Sequence, residues 1–495
     1  MKILMVTAEA VPFAKTGGLA DAVSALAIAL AKNGHDVKII MPRYYSISRD
    51  NLQLLEGPMG IPCGYTEEWT AVYSTVMPNT EKNPLSVYFV DHEKAFGRDG
   101  IYGTVTESDF ADNPYRFSIL CHSAFQLCRK LNWYPDIIHS HDWSAALTSV
   151  LLRFNQRFDA FAHTACVFTV HNLGYQGVYS KHNYPVMGIA WDHFYSAGFE
   201  DHDRINLLKA GLISSDMITT VSPTYANEIQ SPEYGFGLDA VLRHRNADVY
   251  GILNGVDTDV WNPAKDKKIE STYTAKTLEK KLKNKCALQK KMGLEENPDV
   301  PLIGIITRLA DQKGIAELFA PTFGTAFNMC RDMKIQLAIL GSGETWCEHE
   351  IQALQEKTPN LRAYIGYDDA LSHLIEAGSD FFLMPSRYEP CGLNQMYSLL
   401  YGTLPIVRRT GGLADSVQNY DETSGGGTGF MFNNLTPQSI YDTVGWATYA
   451  WYNKKEHIEA MRIRAMKQKF GWDESAKKYI GVYENALKKQ GISTN

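Results

Sequence analysis

The chain has 495 residues, too many for one compact core, so two domains of roughly 200–250 residues are expected. Hydrophobic residues make up 45% and charged residues 21%, a globular balance that excludes wholesale disorder. A net charge of -7 leaves no overall basic field to collect nucleic acid or an anionic membrane. The 8 cysteines show no CxxC spacing, which points to reduced, mostly buried thiols and away from a disulfide framework or zinc ribbon. The apolar opening Ile3 to Val6 is too short for a signal-peptide core, and no other stretch approaches a membrane span. A cytoplasmic protein is expected.

In chain order, Lys2 to Thr7 reads as a strand buried on both faces. A glycine turn at Lys15-Thr16-Gly17-Gly18 follows, then a helical pattern from Leu19 to Lys32 that Gly34 ends. Val37 to Met41 resumes a strand, completing a βαβ unit. Between Gly60 and Gly103 the text shifts to short alternating segments, an antiparallel excursion inside the first domain. Parallel-strand runs return at Asp136-Ile137-Ile138, Cys166 to Val170 and Met217 to Val221. A second series begins after Trp261-Asn262-Pro263 with a solvated, lysine-rich helix from Lys276 to Lys291. Buried strands are then expected at Pro301 to Ile306, Leu337 to Leu340, Phe381 to Met384 and Leu404 to Val407. Gly425-Gly426-Gly427 reads as a flexible loop.

Two such series predict two doubly wound α/β domains. The boundaries expected are 1–252 for the first domain, 253–263 for a hinge, 264–472 for the second domain and 473–495 for a tail helix. Ligands of such sheets bind beyond the carboxyl ends of the strands, so the cleft between two sheets is the expected site.

Chemistry-bearing residues gather at those strand ends. Lys15 beside Gly17 and Gly18 offers a point charge, close backbone approach and helix-start N–H groups, although the turn is neither a Walker A loop nor GxGxxG. Arg308 follows a strand and Lys313 lies five positions on, two cations suited to a diphosphate. Gly341-Ser342-Gly343-Glu344 reads as another glycine turn after a strand. Glu389-Pro390-Cys391-Gly392-Leu393 sets a carboxylate before a helix start. Cys391 has no sequence-placed base and reads as a bystander thiol. Arg408-Arg409-Thr410-Gly411-Gly412-Leu413-Ala414-Asp415 echoes Gly17-Gly18-Leu19-Ala20-Asp21. His139 and His141 share a face at period two but lack further spaced ligands, so no metal is expected. His171, followed by Asn172-Leu173-Gly174-Tyr175-Gln176-Gly177, reads as a sugar-binding lip.

The ordered set of these motifs resembles the bacterial glycogen synthase and plant starch synthase family nearly end to end. Its members are retaining glucosyltransferases that extend α-1,4-glucan from ADP-glucose. Lys15 to Asp21 resembles the family's opening motif. Asp91, Phe96, Arg98, Gly100, Tyr102 and Gly103, then Asp112-Asn113 with Arg116-Phe117, fit its internal signature. His141-Asp142-Trp143, Thr169 to Asn172, Thr220 to Ala226, Gly251 to Asp257, Arg308 with Lys313, and Glu389 to Leu393 follow in the family's order.

The resemblance implies a GT-B architecture: two Rossmann-like domains facing across a cleft, with the final helix, about Glu474 to Lys489, crossing back to the first. It implies that Lys15, Arg308 and Lys313 hold the donor phosphates, Glu389 the donor sugar or its surroundings, and His171 the glucose near its reactive carbon. Asp21 and Asp142 would bind or position sugar groups, and Gly17, Gly18, Asn254, Cys391, Gly392, Leu393 and Thr410 would line the substrate site. No cofactor, metal, nucleic acid or membrane is implied; the partners are ADP-glucose and an α-1,4-glucan such as glycogen or a maltooligosaccharide. Where the wider superfamily often has a second Glu, eight positions after the first, this chain has Tyr397, which leaves ribose recognition unassigned. No carboxylate nucleophile stands out for a covalent route, so a front-face transfer is favoured. Two alternatives stay open at this point, a related enzyme using UDP-glucose and an inert glucan-binding scaffold. A nicotinamide dehydrogenase lacks its GxGxxG fingerprint here.

Overall fold

The computed structural model describes residues 1–492 except 81, 105, 159 and 197. It divides into two compact units, one comprising Met1–Gly255 with the chain from Trp472 onward, the other Val256–Gly471. Of the expected tail 473–495, residues 493–495 lie outside the described residues.

The first unit is built on β1 (Lys2–Val6), β2 (Asp36–Pro42), β3 (Gln53–Leu54), β4 (Met59–Cys63), β5 (Thr66–Val76), β6 (Ser86–Asp91), β7 (Ile137–His141) and β8 (Ala165–Val170). The short β9 (Val178–Ser180), β10 (Glu200–Asp201) and β11 (Arg204–Asn206) form a separate antiparallel sheet, and β12 (Met217–Thr220) and β13 (Val249–Gly251) complete the main one. Its order is β13-β12-β8-β7-β1-β2-β6-β5-β3, with β4 on β5. β1, β2, β6, β7, β8, β12 and β13 pair in parallel, while β3 to β6 make antiparallel pairs through β5. The antiparallel excursion therefore begins a few residues before Gly60. Counting only the parallel strands, the order is the 3-2-1-4-5-6 of a Rossmann sheet with one strand added, and its direction reverses between β1 and β7.

β1 buries Ile3, Leu4, Met5 and Val6 almost completely, which is why that run carries no alternation. The helix Gly18–Lys32 is alanine-rich, so its backbone is intrinsically favoured, and it turns Leu19, Val23, Leu26, Ala27 and Leu30 inward. The last helix, Trp472–Lys489, packs on that helix and on β8. Ser475 donates to the Leu253 carbonyl at 2.6 Å and Lys489 to Asp248 at 2.6 Å.

The second unit carries β14 (Leu302–Leu309), β15 (Gln336–Gly343), β16 (Leu361–Ile365), β17 (Phe381–Met384), β18 (Leu404–Arg408) and β19 (Phe430–Phe432), all parallel. The order β16-β15-β14-β17-β18-β19 is again 3-2-1-4-5-6, with the reversal between β14 and β17.

Three expectations need correction here. Arg308 and the Gly341-Ser342-Gly343 segment lie inside strands, not after them: Thr307 pairs with Gly341, Arg308 with Ser342 and Leu309 with Gly343. Glycine lets the pair extend, because a Cβ on Gly341 would sit 2.1 Å from the Thr307 carbonyl oxygen. The lysine-rich helix runs over Lys281–Met292 and is not wholly solvated. Lys281 is buried, donating to Ala377 O and Thr403 Oγ1 at 2.7 Å, and Lys285 meets buried Asp380 at 2.7 Å, which Arg462 also binds. A charged run reads as solvated only when no internal acceptors await it. Finally, the triple-glycine loop is tied down, since Arg464 donates to the carbonyls of Gly425 and Gly427.

Candidate functional site

In the first unit the candidates lie at the carboxyl ends of β1, β7 and β8, beside the sheet's reversal, except Asn254, which follows β13 at the edge of the sheet. The loop after β1 exposes Lys15, Gly17 and Gly18, and Lys15 pairs with Asp21 at 2.8 Å. Gly17 is extended, and a Cβ placed on it would meet nothing within 4 Å. The fold itself therefore does not require glycine there, and the bare backbone faces open space.

Behind that loop stands Glu9, 2% exposed, which the motif reading missed. Its carboxylate accepts from the Thr16 N–H, from Thr16 Oγ1 at 2.7 Å and from the Tyr102 hydroxyl at 2.7 Å. One signal was available: an acid inside the apolar run Thr7-Ala8-Glu9-Ala10-Val11 needs buried partners. Tyr102 is delivered by the internal signature residues. Buried Arg116 donates to Ala95 O at 2.6 Å and to Ile101 O at 2.9 Å, and Arg98 grips Asp112 through two bonds. Those motif residues brace the loop that carries Tyr102.

Asp142 opens the helix Asp142–Leu151 from a left-handed conformation, φ 57, which Asp tolerates better than most residues. Its Oδ1 accepts the main-chain N–H of His171 at 2.7 Å. Burial raises the Asp142 pKa to about 7, with Glu9 adding repulsion and the N–H groups of His171 and Asn172 opposing the shift. His171 Nε2 lies 3.2 Å from His141 Nδ1. The His139 ring packs against His141, tilted by 37° with centroids 4.1 Å apart. Burial lowers the pKa of His171 and of His139 to about 3, so both rings are neutral at pH 7. Asn254 is buried, its Oδ1 has no partner, and no hydrogen bond links it to another candidate among the described residues.

In the second unit the candidates flank its own reversal. Arg308 is exposed near the end of β14, its one hydrogen-bond contact among the described residues a long 3.4 Å one to Gln312. Lys313 Nζ donates to Glu389 Oε2 at 2.6 Å, and Ser386 Oγ donates to the same oxygen at 2.9 Å. Gln312 holds the neighbouring loop through Tyr388 O. The segment beginning at Thr410 packs hard on the loop at Glu389: a Cβ on Gly411 would lie 1.9 Å from Glu389 O, and the Gly412 N–H donates to that carbonyl at 3.1 Å. Thr410 and Cys391 are buried. Gly392 turns the chain at φ 69, and Leu393 precedes the helix Asn394–Leu400. Gln395 Nε2 donates to the carbonyls of Cys391 and Gly392 at 3.0 Å, pinning the turn. Tyr397 stacks on Trp261, centroids 3.9 Å apart, and Trp261 stacks equally on His373. The tyrosine at that position is thus part of a three-ring stack.

No three His, Cys, Asp or Glu side chains are grouped as a metal ion would need among the described residues. No disulfide joins any of the eight cysteines. No described helix is long and apolar enough to cross a membrane.

Residues 2–244 match the starch synthase catalytic domain, and residues 289–460 match glycosyl transferases group 1. The chain is 61% identical over 490 residues to a glycogen synthase of Treponema denticola, covering 99% of each chain. The chain belongs to the glycogen and starch synthase family. A glycogen synthase 1 of Geobacter metallireducens is 43% identical over 495 residues, with 99% of this chain and 97% of that one covered. Among solved structures, the catalytic domain of starch synthase IV from Arabidopsis thaliana, bound to ADP and acarbose, superposes with a TM-score of 0.88 at 33% identity. That match covers 98% of this chain and 99% of the other. Family membership makes the chain a glucosyltransferase of glycogen synthesis, with two Rossmann-like units of the GT-B class. Within this family framework, the charged and polar candidates of each unit stand where a doubly wound sheet presents its ligands.

Proposed function

We propose that this glucosyltransferase uses ADP-glucose and adds glucose, with retention of configuration, to the non-reducing ends of an α-1,4-glucan such as glycogen or a maltooligosaccharide. The observation that carries the reading is the group at the reversal of the second sheet: exposed Arg308, with Lys313 held by Glu389. Two cations at the carboxyl end of β14 suit a diphosphate, Arg308 as a bidentate donor and Lys313 as a point charge.

Negative charge grows on the departing ADP as the glycosidic bond breaks, so fixed cations stabilise the transition state more than the ground state. Glu389 sets the direction of the Lys313 ammonium. The Gly392 and Leu393 turn and Thr410 lie beside Glu389, where they would contact the donor; Cys391 is a packing thiol of that turn. In the first unit, Lys15 adds a further cation and Gly17 and Gly18 bare backbone. Asp21 holds Lys15, and Asn254 completes the proposed substrate contacts. His171, anchored through its main chain by Asp142, faces the glucosyl group as a neutral hydrogen-bonding partner. The route is front-face: the acceptor hydroxyl attacks on the side from which ADP leaves, and a phosphate oxygen receives its proton. Positioning and anion stabilisation suffice for such a step. The absence of disulfides among the eight cysteines fits a reducing cytoplasm.

The test is incorporation of labelled glucose from ADP-glucose into glycogen by the purified chain. Label in polymer that α-1,4-specific hydrolysis releases supports the reading. Binding of glycogen with no incorporation would leave the inert scaffold.

A further inference from the structure

His141 is 1% exposed and its Nε2 has no hydrogen-bond partner among the described residues, while its Nδ1 lies 3.2 Å from His171 Nε2. One of the two facing nitrogens must carry the shared proton. If His171 donated, neutral His141 would carry its own proton on Nε2, leaving a buried N–H without an acceptor. If His141 donates from Nδ1, its buried Nε2 is only an unfilled acceptor. Orphaned buried N–H groups are the rarer and more costly of the two. The second arrangement is therefore favoured, and it leaves His171 with Nε2 accepting and its proton on Nδ1.

We propose that His141 is a positioning residue that holds His171 as the neutral Nδ1–H tautomer, so that His171 offers the glucosyl group a hydrogen-bond donor and not a base. The inference rests on the proposed function for the identity of the group that His171 meets.

Three features support it. Burial pushes the pKa of His141 well below its ordinary value, so a doubly protonated ring does not compete. The ring of His141 is also held from behind. His139 packs against it with the ring planes tilted by 37°, and His139 is fixed at both nitrogens, by the Tyr483 hydroxyl at 2.9 Å and by Thr169 Oγ1 at 2.6 Å. Tyr483 comes from the carboxy-terminal helix, so that helix braces the histidine cluster. Finally, the main chain of His171 is fixed by Asp142, the very next residue after His141. Both the backbone and the ring of His171 are thus oriented from the β7 end. A neutral donor is suited to this place, because a cation beside the anomeric carbon would oppose the positive charge that develops there as ADP departs.

The test is a two-bond 15N correlation spectrum of the full chain labelled at histidine, with the His171 signals identified by their loss in His171→Gln. Around neutral pH, the expected pattern is a protonated Nδ1 and a bare Nε2. A protonated Nε2, an averaged pair or an imidazolium would overturn the proposal. This spectrum needs no substrate, so it fails or succeeds independently of glucose transfer by the wild-type chain. A second arm compares His141→Phe, which keeps a ring but removes the donor, with His141→Asn, which restores an N–H. His141→Phe should lose the Nδ1–H pattern and about 10-fold in kcat with little change in donor KM. His141→Asn should recover most of both. Equal losses in the two variants, with the His171 pattern unchanged, would reduce His141 to packing and contradict the proposal.

Discussion

Lys313 Nζ donates to Glu389 Oε2 at 2.6 Å, so a cation from the loop after β14 is aimed by a carboxylate from the loop after β17. The two act as one unit in the account above. Lys313→Ala and Glu389→Gln should each lower kcat/KM by a factor of about 10 to 150, the equivalent of roughly 1.5–3 kcal/mol for a charge-assisted bond. The double variant should lose much less than the product of the single losses, because contacting residues couple. Steady-state kinetics on the four proteins checks this. Multiplicative losses would mean that Glu389 acts without Lys313.

Arg308 has the opposite structural profile, exposed and hydrogen-bonded among the described residues only to Gln312, at 3.4 Å. Arg308→Ala should therefore leave the melting temperature nearly unchanged, as exposed substitutions usually do. It should cut kcat by roughly 10-fold or more if the guanidinium meets charge that appears in the transition state. Calorimetry with kinetics separates the two readouts. Full activity would return Arg308 to an ordinary solvated side chain.

Much of this was legible in the residues, and the exceptions have physical causes. β1, β17 and the helix Gly18–Lys32 could be read because buried strands and amphipathic helices write their burial into local pattern. Lys281 and Lys285 could not, because their acceptors, Ala377 O, Thr403 and Asp380, lie about a hundred residues away. Glu9 escaped for the same reason: one of its partners, Tyr102, is 93 positions distant. Asp142 and His171 stood out as strand-end polar residues, but that one holds the other's main chain is a fact of sheet order. The glycines of Gly341 to Gly343 misled because a turn and a close strand pair make the same demand on side-chain size.

Asp142 should leave a signature in the pH dependence of stability. Its pKa rises from 3.8 to about 7 on folding, so between those values the folded chain binds more protons than the unfolded one. Stability from this group is greatest below pH 3.8 and is lost as pH rises through about 7. Asp142→Asn keeps an acceptor for the His171 N–H and removes the titration. The difference in melting temperature, variant minus wild type, should thus climb through this window and then level off. A difference independent of pH would show that Asp142 ionises normally in the folded chain.

Charge on the departing diphosphate is assigned to Arg308 and Lys313, so activity should persist after exhaustive treatment with EDTA. Cationic side chains can supply the anion stabilisation that a metal supplies elsewhere. Loss of turnover on chelation, restored by a divalent ion, would contradict that assignment.

The central claim is that this chain draws glucose from ADP-glucose. The measurement that meets it most directly is kcat/KM for ADP-glucose against UDP-glucose, with the same glycogen acceptor and the same enzyme preparation. A clear preference for ADP-glucose is expected. An equal or higher kcat/KM for UDP-glucose would contradict it.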